Sequence, residues 1–418
     1  MNDAARNYAI VTASYWGFTL TDGALRMLVL FHFFTLGFSP FTLALLFLLY
    51  EVAGIVANLA GGWLATRFGI PRMLAAGQLL QIFGLILLSL LDPAWGAALA
   101  VVWVVVAQGI AGIAKDLTKT ASKAAIKSVS SSDDTARNSA LFGLVAWFTG
   151  SKNAMKGIGF FLGGLLLDTI GFAPALYALA GLIAVVLVAG IALLPRDLGR
   201  AKPSASIREL LAKTSAINTL ALARVFLFSA RDVWFVVGLP VFLYANGWTF
   251  WQVGGFLAAW TVAYGVMQAA APRLISRSAD GLSREVPAAR QWAWALMGVT
   301  LAILALFWID AVQRVDMLVA IALAGFGVAF AVNSSLHSYL ILAYAGTRRA
   351  AEDVGFYYAA NAVGRLAGTL LSGLLYQAGG LAACLVGATA MLAVCAMLTS
   401  LLPNAPERES RNREKIEV

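Results

Sequence analysis

Cysteine, histidine and charged residues are all scarce in this sequence, and each shortage excludes a class of protein. The two cysteines, Cys384 and Cys395, lie in one apolar run and too far apart to bond, so neither a disulfide framework nor a thiolate metal site is possible. Only 12% of the 418 residues are charged, whereas a soluble domain carries about 25%. The sequence also lacks a P-loop, an HExxH helix and a serine nucleophile elbow. We therefore expect no catalytic residues, metal site or cofactor.

Apolar residues, by contrast, are abundant. They make up 61% of the chain, and the mean hydropathy is +0.81. Twelve runs of about 20 residues or more are each long enough to cross a hydrocarbon core roughly 30 Å thick. The sequence therefore predicts an all-α membrane protein with twelve transmembrane helices. The predicted spans are Tyr8–Leu36, Phe41–Ala65, Met73–Leu91, Ala94–Ala114, Ser139–Leu167, Phe172–Leu194, Ile217–Tyr244, Phe250–Ala271, Trp292–Ile309, Leu318–Ala345, Val354–Gln377 and Leu381–Leu402.

Positive charge is concentrated in alternate connections between these runs. The net charge is +9, and pairs such as Arg67 with Arg72 and Arg348 with Arg349 lie on one side, whereas the other side holds acids such as Asp92 and Asp168. Short cytoplasmic loops carry an excess of Lys and Arg, so this asymmetry places both termini in the cytoplasm. The same rule explains the net positive charge of the chain. We therefore expect no nucleic acid as a partner.

A polar linker at residues 195–216 divides the chain into two parts of six spans each, residues 1–194 and 217–402. Residues 403–418 form a charged tail, which we expect to be disordered. Phe18 and Asp22 in the first span are matched by Phe228 and Asp232 in the seventh. The dipeptide Asn-Ala at 153 in the fifth span recurs at 361 in the eleventh. These matches predict a duplicated six-helix unit, giving two pseudo-symmetric halves.

Charged side chains inside the spans are costly and usually face a watery cavity or one another. Seven cations against four acids leaves a surplus of three positive charges, which predicts an anionic substrate. One alternative is that these charges form buried pairs with a structural role only. Another is that Lys115, Arg224 and Arg365 extend their long side chains to the membrane interface. The cations are Arg26, Lys115, Lys152, Lys156, Arg224, Arg231 and Arg365, and the acids are Asp22, Glu51, Asp116 and Asp232.

The spacing of these charges predicts some of their partners. Asp22 and Arg26 are four residues apart and can meet on one helix face, whereas the adjacent Arg231 and Asp232 should point in different directions. Glu51 fits either a proton site or a helix end. We expect the substrate to be held by Arg26, Lys115, Lys119, Lys152, Lys156, Arg231 and Arg365, with Asp22, Glu51 and Asp232 as candidates for proton coupling.

Four lysines at positions 115, 119, 123 and 127 follow the fourth apolar run at helical spacing, so they form one stripe on a helix. Lys115 and Lys119 are candidates for the inner mouth of a substrate path. Lys123 and Lys127 fit better beyond the membrane, where they would help to orient the chain. The stripe is thus predicted to lead from the cytoplasm toward the cations of the fifth and seventh spans.

The sequence resembles known transporters in two ways, one in a single loop and one over nearly the whole chain. The loop GGWLATRFGIPR resembles the signature loop of the major facilitator superfamily, matched at Gly62, Arg67, Gly69 and Arg72, although Thr66 stands where that family has Asp. This resemblance implies a gating role for the loop. Nearly the whole chain resembles the ArsJ-type organoarsenical efflux permeases of that superfamily. The runs that carry this resemblance are YWGFTLTDGALRMLVLFHF from residue 15, GIAKDLTKTASKAAIK from 112, TGSKNAMKGIGFFLGG from 149 and ARDVWFVVGLP from 230.

The second resemblance implies a substrate. It implies a monomeric efflux transporter in the inner membrane that exports 1-arseno-3-phosphoglycerate, an anion made when a glycolytic glyceraldehyde-phosphate dehydrogenase uses arsenate in place of phosphate. The absence of paired thiols fits such a substrate, because trivalent arsenic would require them. A facilitator for another small organic or phosphorylated anion shares every feature derived from the residues themselves, and stays the alternative.

Overall fold

The structure, a computed structural model, describes residues 3–56, 68–127, 134–195, 198, 214–275, 278, 281–308, 315–344 and 350–404. Within these ranges the regular secondary structure is entirely helical, as predicted. Most of the predicted linker at 195–216, and nearly all of the predicted tail at 403–418, lie outside them. Eight helical stretches among the described residues are long and apolar enough to cross a membrane.

Each of the twelve predicted spans overlaps a helix among the described residues, and residues 57–65 of the second span lie outside them. We number the first six α1 (Asp3–Thr35), α2 (Pro40–Val56), α3 (Ile70–Ser89), α4 (Ala97–Lys127), α5 (Asp134–Ile170) and α6 (Phe172–Leu193). They are followed by α7 (Ser215–Ala245), α8 (Phe250–Ala270), α9 (Glu285–Trp308) and α10 (Val315–Tyr344). The last stretch, Ala350–Ser400, contains α11 up to residue 378 and α12 from residue 381.

Local chemistry sets several of these helix boundaries. The Ser39 side chain accepts a hydrogen bond from the Thr42 amide at the start of α2, and Pro40 fills the first helical position. Thr249 and Gln252 form a capping box at the start of α8. Gly380 separates α11 from α12 with φ +63°, a left-handed conformation that favours glycine. Lysine and alanine favour helix, so α4 continues beyond its apolar run to Lys127.

The N-terminal half (α1–α6) and the C-terminal half (α7–α12) meet along two pairs of helices. α5 packs on α8, and α2 packs on α11. Glycines permit the close approach: a Cβ on Gly157 would lie 2.8 Å from the carbonyl oxygen of Ala258, and one on Gly254 would lie 2.6 Å from that of Phe160. The two pairs of helices enclose the space between the halves.

Burial distinguishes the inner helices from the outer ones. In the most apolar stretch of α7, 72% of the residues are buried within the protein, whereas the figure for α6 is 28%. α6 exposes large apolar side chains such as Val185, Val188 and Ile191, a surface suited to lipid. α7 therefore belongs to the centre of the bundle, and α6 to its periphery.

Candidate functional site

A cavity lies between the two halves, near the middle of the helices that form it. Its cavity volume is about 30 Å³, room for about one water molecule, and its lining surrounds about 330 Å³ of space that is partly open to solvent. α1 and α5 contribute from the N-terminal half, and α7, α8 and α11 from the C-terminal half. Four of the ten lining residues are cations, one is an acid and five are apolar. The lining comprises Arg26, Met27, Lys156, Phe160, Arg231, Asp232, Phe235, Val236, Leu257 and Arg365.

Glu51 of α2 contacts two of these cations at once. Its Oε1 atom lies 3.3 Å from Nη1 of Arg26 and 2.8 Å from Nη2 of Arg365. Glu51 is 1% exposed, so both contacts are shielded from solvent. Because Arg26 belongs to α1 and Arg365 to α11, one carboxylate oxygen joins the two halves. Glu51 lies in the second segment of α2, four residues after the turn at Phe47 that ends the first segment.

Asp232 is the acid of the cavity lining, and it also contacts two guanidinium groups. Arg231 places Nη2 and Nε 2.5 and 2.6 Å from Oδ1 of Asp232, and Nε of Arg365 lies 3.5 Å from Oδ2. The prediction that Arg231 and Asp232 point in different directions is therefore wrong. An arginine side chain is long enough to curl around the helix to the carboxylate of its neighbour.

Asp22 of α1 has no such partner. The prediction that it meets Arg26 on one helix face is wrong, because Arg26 turns to Glu51 instead. Both carboxylate oxygens of Asp22 accept from the Tyr50 hydroxyl, at 2.7 and 2.9 Å. Asp22 is 6% exposed and has no ion-pair partner among the described residues. It is thus a buried acid held by one neutral donor.

Lys156 of α5 lines the cavity without a carboxylate partner. Its Nζ lies 5.5 Å from the centroid of the Phe160 ring, and it makes no ion pair within the part of the chain that the structure describes. Glu51 and Asp22 lie within electrostatic range of it. Around the cavity, four cations therefore face two paired acids, Glu51 and Asp232, and the surplus is positive.

The predicted lysine stripe begins beside this cavity. Nζ of Lys115 lies 3.7 Å from the centroid of the Tyr50 ring and 3.8 Å from Oδ2 of Asp116. Nζ of Lys119 lies 3.3 Å from Oδ1 of the same acid, which is 2% exposed. Both lysines thus hold Asp116 next to α2 and are absent from the cavity lining. The side chains of Lys123 and Lys127 fall outside the described residues.

Other predicted site residues lie elsewhere. Lys152 is half-buried on α5, one turn before Lys156, and is not part of the cavity lining. In the loop before α3, Gly62 and Arg67 are outside the described residues. Gly69 caps α3 with φ +80°, and Arg72 is exposed on its first turn.

Tyr50 is the polar residue that sequence reasoning missed. It donates to Asp22 and lies under the ammonium group of Lys115. Its position directly before an acid inside a membrane span was a signal that could have identified it. The apolar lining residues, such as Phe160 and Leu257, have no such signal, because similar side chains occur along every helix.

This arrangement is suited to binding an anion. Guanidinium groups recognise oxyanions through paired N–H donors, and Arg26, Arg231 and Arg365 present three of them to one cavity. Apolar lining residues lower the local dielectric, which strengthens each of these interactions. The two paired acids are anions that a substrate can replace.

Comparisons with known proteins describe the same fold. Residues 9–352 match the family profile described as Major Facilitator Superfamily. The structure of the nucleoside transporter NupG is similar, with a TM-score of 0.70 and 14% identity over 96% of this chain and 99% of that one. A POT family transporter in complex with 5-aminolevulinic acid has a TM-score of 0.73 and 14% identity, over 95% and 96%. No curated protein matches the sequence. At this identity the likeness shows the fold alone.

Proposed function

The chain belongs to the major facilitator superfamily, and from that membership we propose that it exports an anionic organoarsenical, 1-arseno-3-phosphoglycerate, from the cytoplasm. It is a membrane transporter and not an enzyme. Export of this ester would remove arsenate from the cell and give arsenate resistance. The transporter would be located in the inner membrane and would act as a monomer. The dehydrogenase that makes the ester would be its functional partner.

The observation that carries the proposal is the charge of the central cavity. Four cations line it, and the two acids that contact them leave a positive surplus. A small polyanion matches that surplus, whereas a neutral or cationic substrate would leave it uncompensated in a low dielectric. The chain's resemblance to organoarsenical permeases supports the particular anion.

Glu51 supplies a mechanism for coupling the anion to movement of the halves. Its carboxylate holds Arg26 and Arg365 together across the interface. An oxyanion in the cavity competes for the same two guanidinium groups. Once it displaces Glu51, a contact that joins the halves is lost, and the bundle can rock to the other orientation.

Asp22 is the acid best suited to carry a coupled proton. It is buried and accepts only from the neutral Tyr50 hydroxyl, whereas Asp232 contacts two guanidinium groups. In the proposed exchange a proton binds Asp22 after the anion has left, so that proton entry is coupled to anion exit. The competing mechanism is an uncoupled exporter, driven by synthesis of the ester inside the cell and its breakdown outside.

A transporter of another small organic or phosphorylated anion is the second candidate. The cavity favours it to the same degree, because Arg26, Arg231 and Arg365 would recognise a phosphate or carboxylate group as they would an arsenate ester. Competition by such anions in a transport assay separates the two candidates.

Resistance of cells to arsenate tests the proposal. Cells that express the chain should survive higher arsenate and release arsenic, provided that they also contain the glycolytic dehydrogenase. Deleting the dehydrogenase should abolish both effects, because the ester would no longer form. Resistance that persists without the dehydrogenase would refute the proposed substrate while leaving transport of another anion open.

A further inference from the structure

A second basic cluster lies in the C-terminal half, nearer the start of α7 than the cavity. Its centre is Arg224, which is 4% exposed and has no acidic partner among the described residues. Its Nε donates to Oδ1 of Asn361 at 3.1 Å, and its Nη1 donates to the carbonyl oxygen of Ser334 at 3.0 Å. The guanidinium also lies over the rings of Phe228 and Tyr357, at 4.2 and 4.9 Å. All of these partners are neutral.

The guanidinium of Arg224 therefore has hydrogen-bond donors without acceptors among the described residues. An arginine offers five N–H donors, and the two hydrogen bonds leave Nη2 without an acceptor in the described part of the chain. A buried cation is normally paired with an acid or another anion, because neutral acceptors compensate it only in part. Among the described residues, no acid compensates the charge of Arg224.

His337 of α10 is a second unsatisfied group at the same place. It is 0% exposed, and neither Nδ1 nor Nε2 has a hydrogen-bond partner within the described ranges. It lies within electrostatic range of Arg224, and three residues after Ser334, the residue whose carbonyl Arg224 contacts. Buried polar groups without partners are rare in proteins. Ser334 and His337 are three residues apart and share one face of α10, so both unsatisfied groups lie beside the same part of that helix.

The cluster is connected to the central cavity through one aromatic ring. Arg224, Phe228 and Arg231 are spaced four and three residues apart, so they share one face of α7. The guanidinium of Arg231 lies over the Phe228 ring at 4.6 Å, as that of Arg224 does at 4.2 Å. The Phe228 ring thus contacts both cations, whose backbone positions differ by about 10 Å along the helix.

We propose that Arg224 and His337 form a second oxyanion subsite, which binds one phosphate- or arsenate-type head group before it passes Phe228 to the central cavity. The Nη2 group of Arg224 and one ring N–H of His337 are the donors. The order of occupation rests on the proposed function, since α7 begins at the cytoplasmic side in the orientation proposed above. Binding to the subsite itself does not depend on which anion is exported.

Equilibrium binding of ³²P-labelled inorganic phosphate to the full-length protein in lipid nanodiscs tests the subsite. The wild type should bind two phosphates per chain. Arg224→Gln should bind one, Arg231→Gln should bind one, and the double variant should bind none. His337→Phe keeps an aromatic ring but removes the donor, so it should weaken the Arg224-dependent class roughly tenfold, the effect of one charge-assisted hydrogen bond.

The controls separate binding from folding. Arg224→Lys keeps the charge and should retain both phosphates, and the phosphate retained by Arg224→Gln reports an intact central site. The subsite would be overturned if Arg224→Gln still bound two phosphates per chain. It would also be overturned if the wild type bound one phosphate and only Arg231→Gln lost it. Either result would leave the proposed function standing. A wild type that binds no phosphate would contradict both proposals.

Discussion

Glu51 and Asp22 are both buried acids of the N-terminal half, yet their partners differ in charge. Glu51 contacts two guanidinium groups, whereas Asp22 accepts only from the hydroxyl of Tyr50. The two carboxylates, on neighbouring helices, therefore have different electrostatic environments. In the proposed mechanism Glu51 competes with the substrate anion, and Asp22 carries the coupled proton.

Replacing Glu51 with Gln should increase anion affinity. The amide has nearly the same shape but no charge, so Arg26 and Arg365 lose their internal competitor. We expect phosphate to bind about tenfold more tightly, and export to slow because the contact between the halves no longer responds to substrate. Binding measurements alongside transport assays check both effects. Glu51→Asp is the control that retains the charge, and weaker binding in Glu51→Gln would refute the role of Glu51 as a competitor.

Asp22→Asn should remove coupling to protons. The amide cannot exchange a proton in the physiological range, so uptake by everted vesicles should no longer respond to an imposed pH gradient, whereas exchange of substrate across the membrane should persist. Asp92→Asn, the same change at an exposed loop acid, should leave the response intact. If wild-type flux ignores the pH gradient, proton coupling is excluded and an uncoupled exporter remains.

Sequence reasoning identified the charged residues of the cavity but not their partners. Arg26, Lys156, Arg231 and Arg365 were all predicted, because charge inside an apolar run is rare. Glu51 and Arg365 are 314 residues apart, and no spacing rule joins them. Local rules also failed for Arg231 and Asp232, where side-chain length outweighed the direction of the Cα–Cβ bond.

At the scale of helices, α5 and α8 pack closely across the interface between the halves. Gly157 allows it, because a Cβ there would lie 2.8 Å from the carbonyl oxygen of Ala258 and 3.2 Å from its Cα. Apolar runs were enough to predict each helix from the sequence. They did not predict which pairs of helices meet, since a run that is apolar on all sides does not mark the face that packs.

Gly157→Leu should therefore force α5 and α8 apart. We expect export to fall at least tenfold and the midpoint of thermal unfolding to drop, because an overpacked helix contact costs about 1–3 kcal/mol. Transport in vesicles and thermal unfolding in detergent measure the two effects. Gly181→Leu on α6 is the matched control, since nothing lies within 4 Å of its Cβ position. Equal effects in both variants would rule out the close contact as the cause.

At the scale of the whole molecule, loop charge predicts the orientation of the bundle. Both termini should lie in the cytoplasm, because the basic connections and the termini fall on the same side. A green fluorescent protein fused after the last residue should fluoresce, and alkaline phosphatase fused there should be inactive. Active phosphatase would reverse the orientation and, with it, the proposed direction of export.

Uptake of arsenic by everted membrane vesicles tests the claim that the cavity carries an anionic arsenate ester out of the cell. Vesicles containing the chain should accumulate arsenic when arsenate is supplied with active glyceraldehyde-phosphate dehydrogenase and its substrates. Without the dehydrogenase, or with Arg231→Gln, uptake should fall to that of empty vesicles. Uptake that is the same with and without the dehydrogenase, or that is unaffected by Arg231→Gln, would contradict the claim.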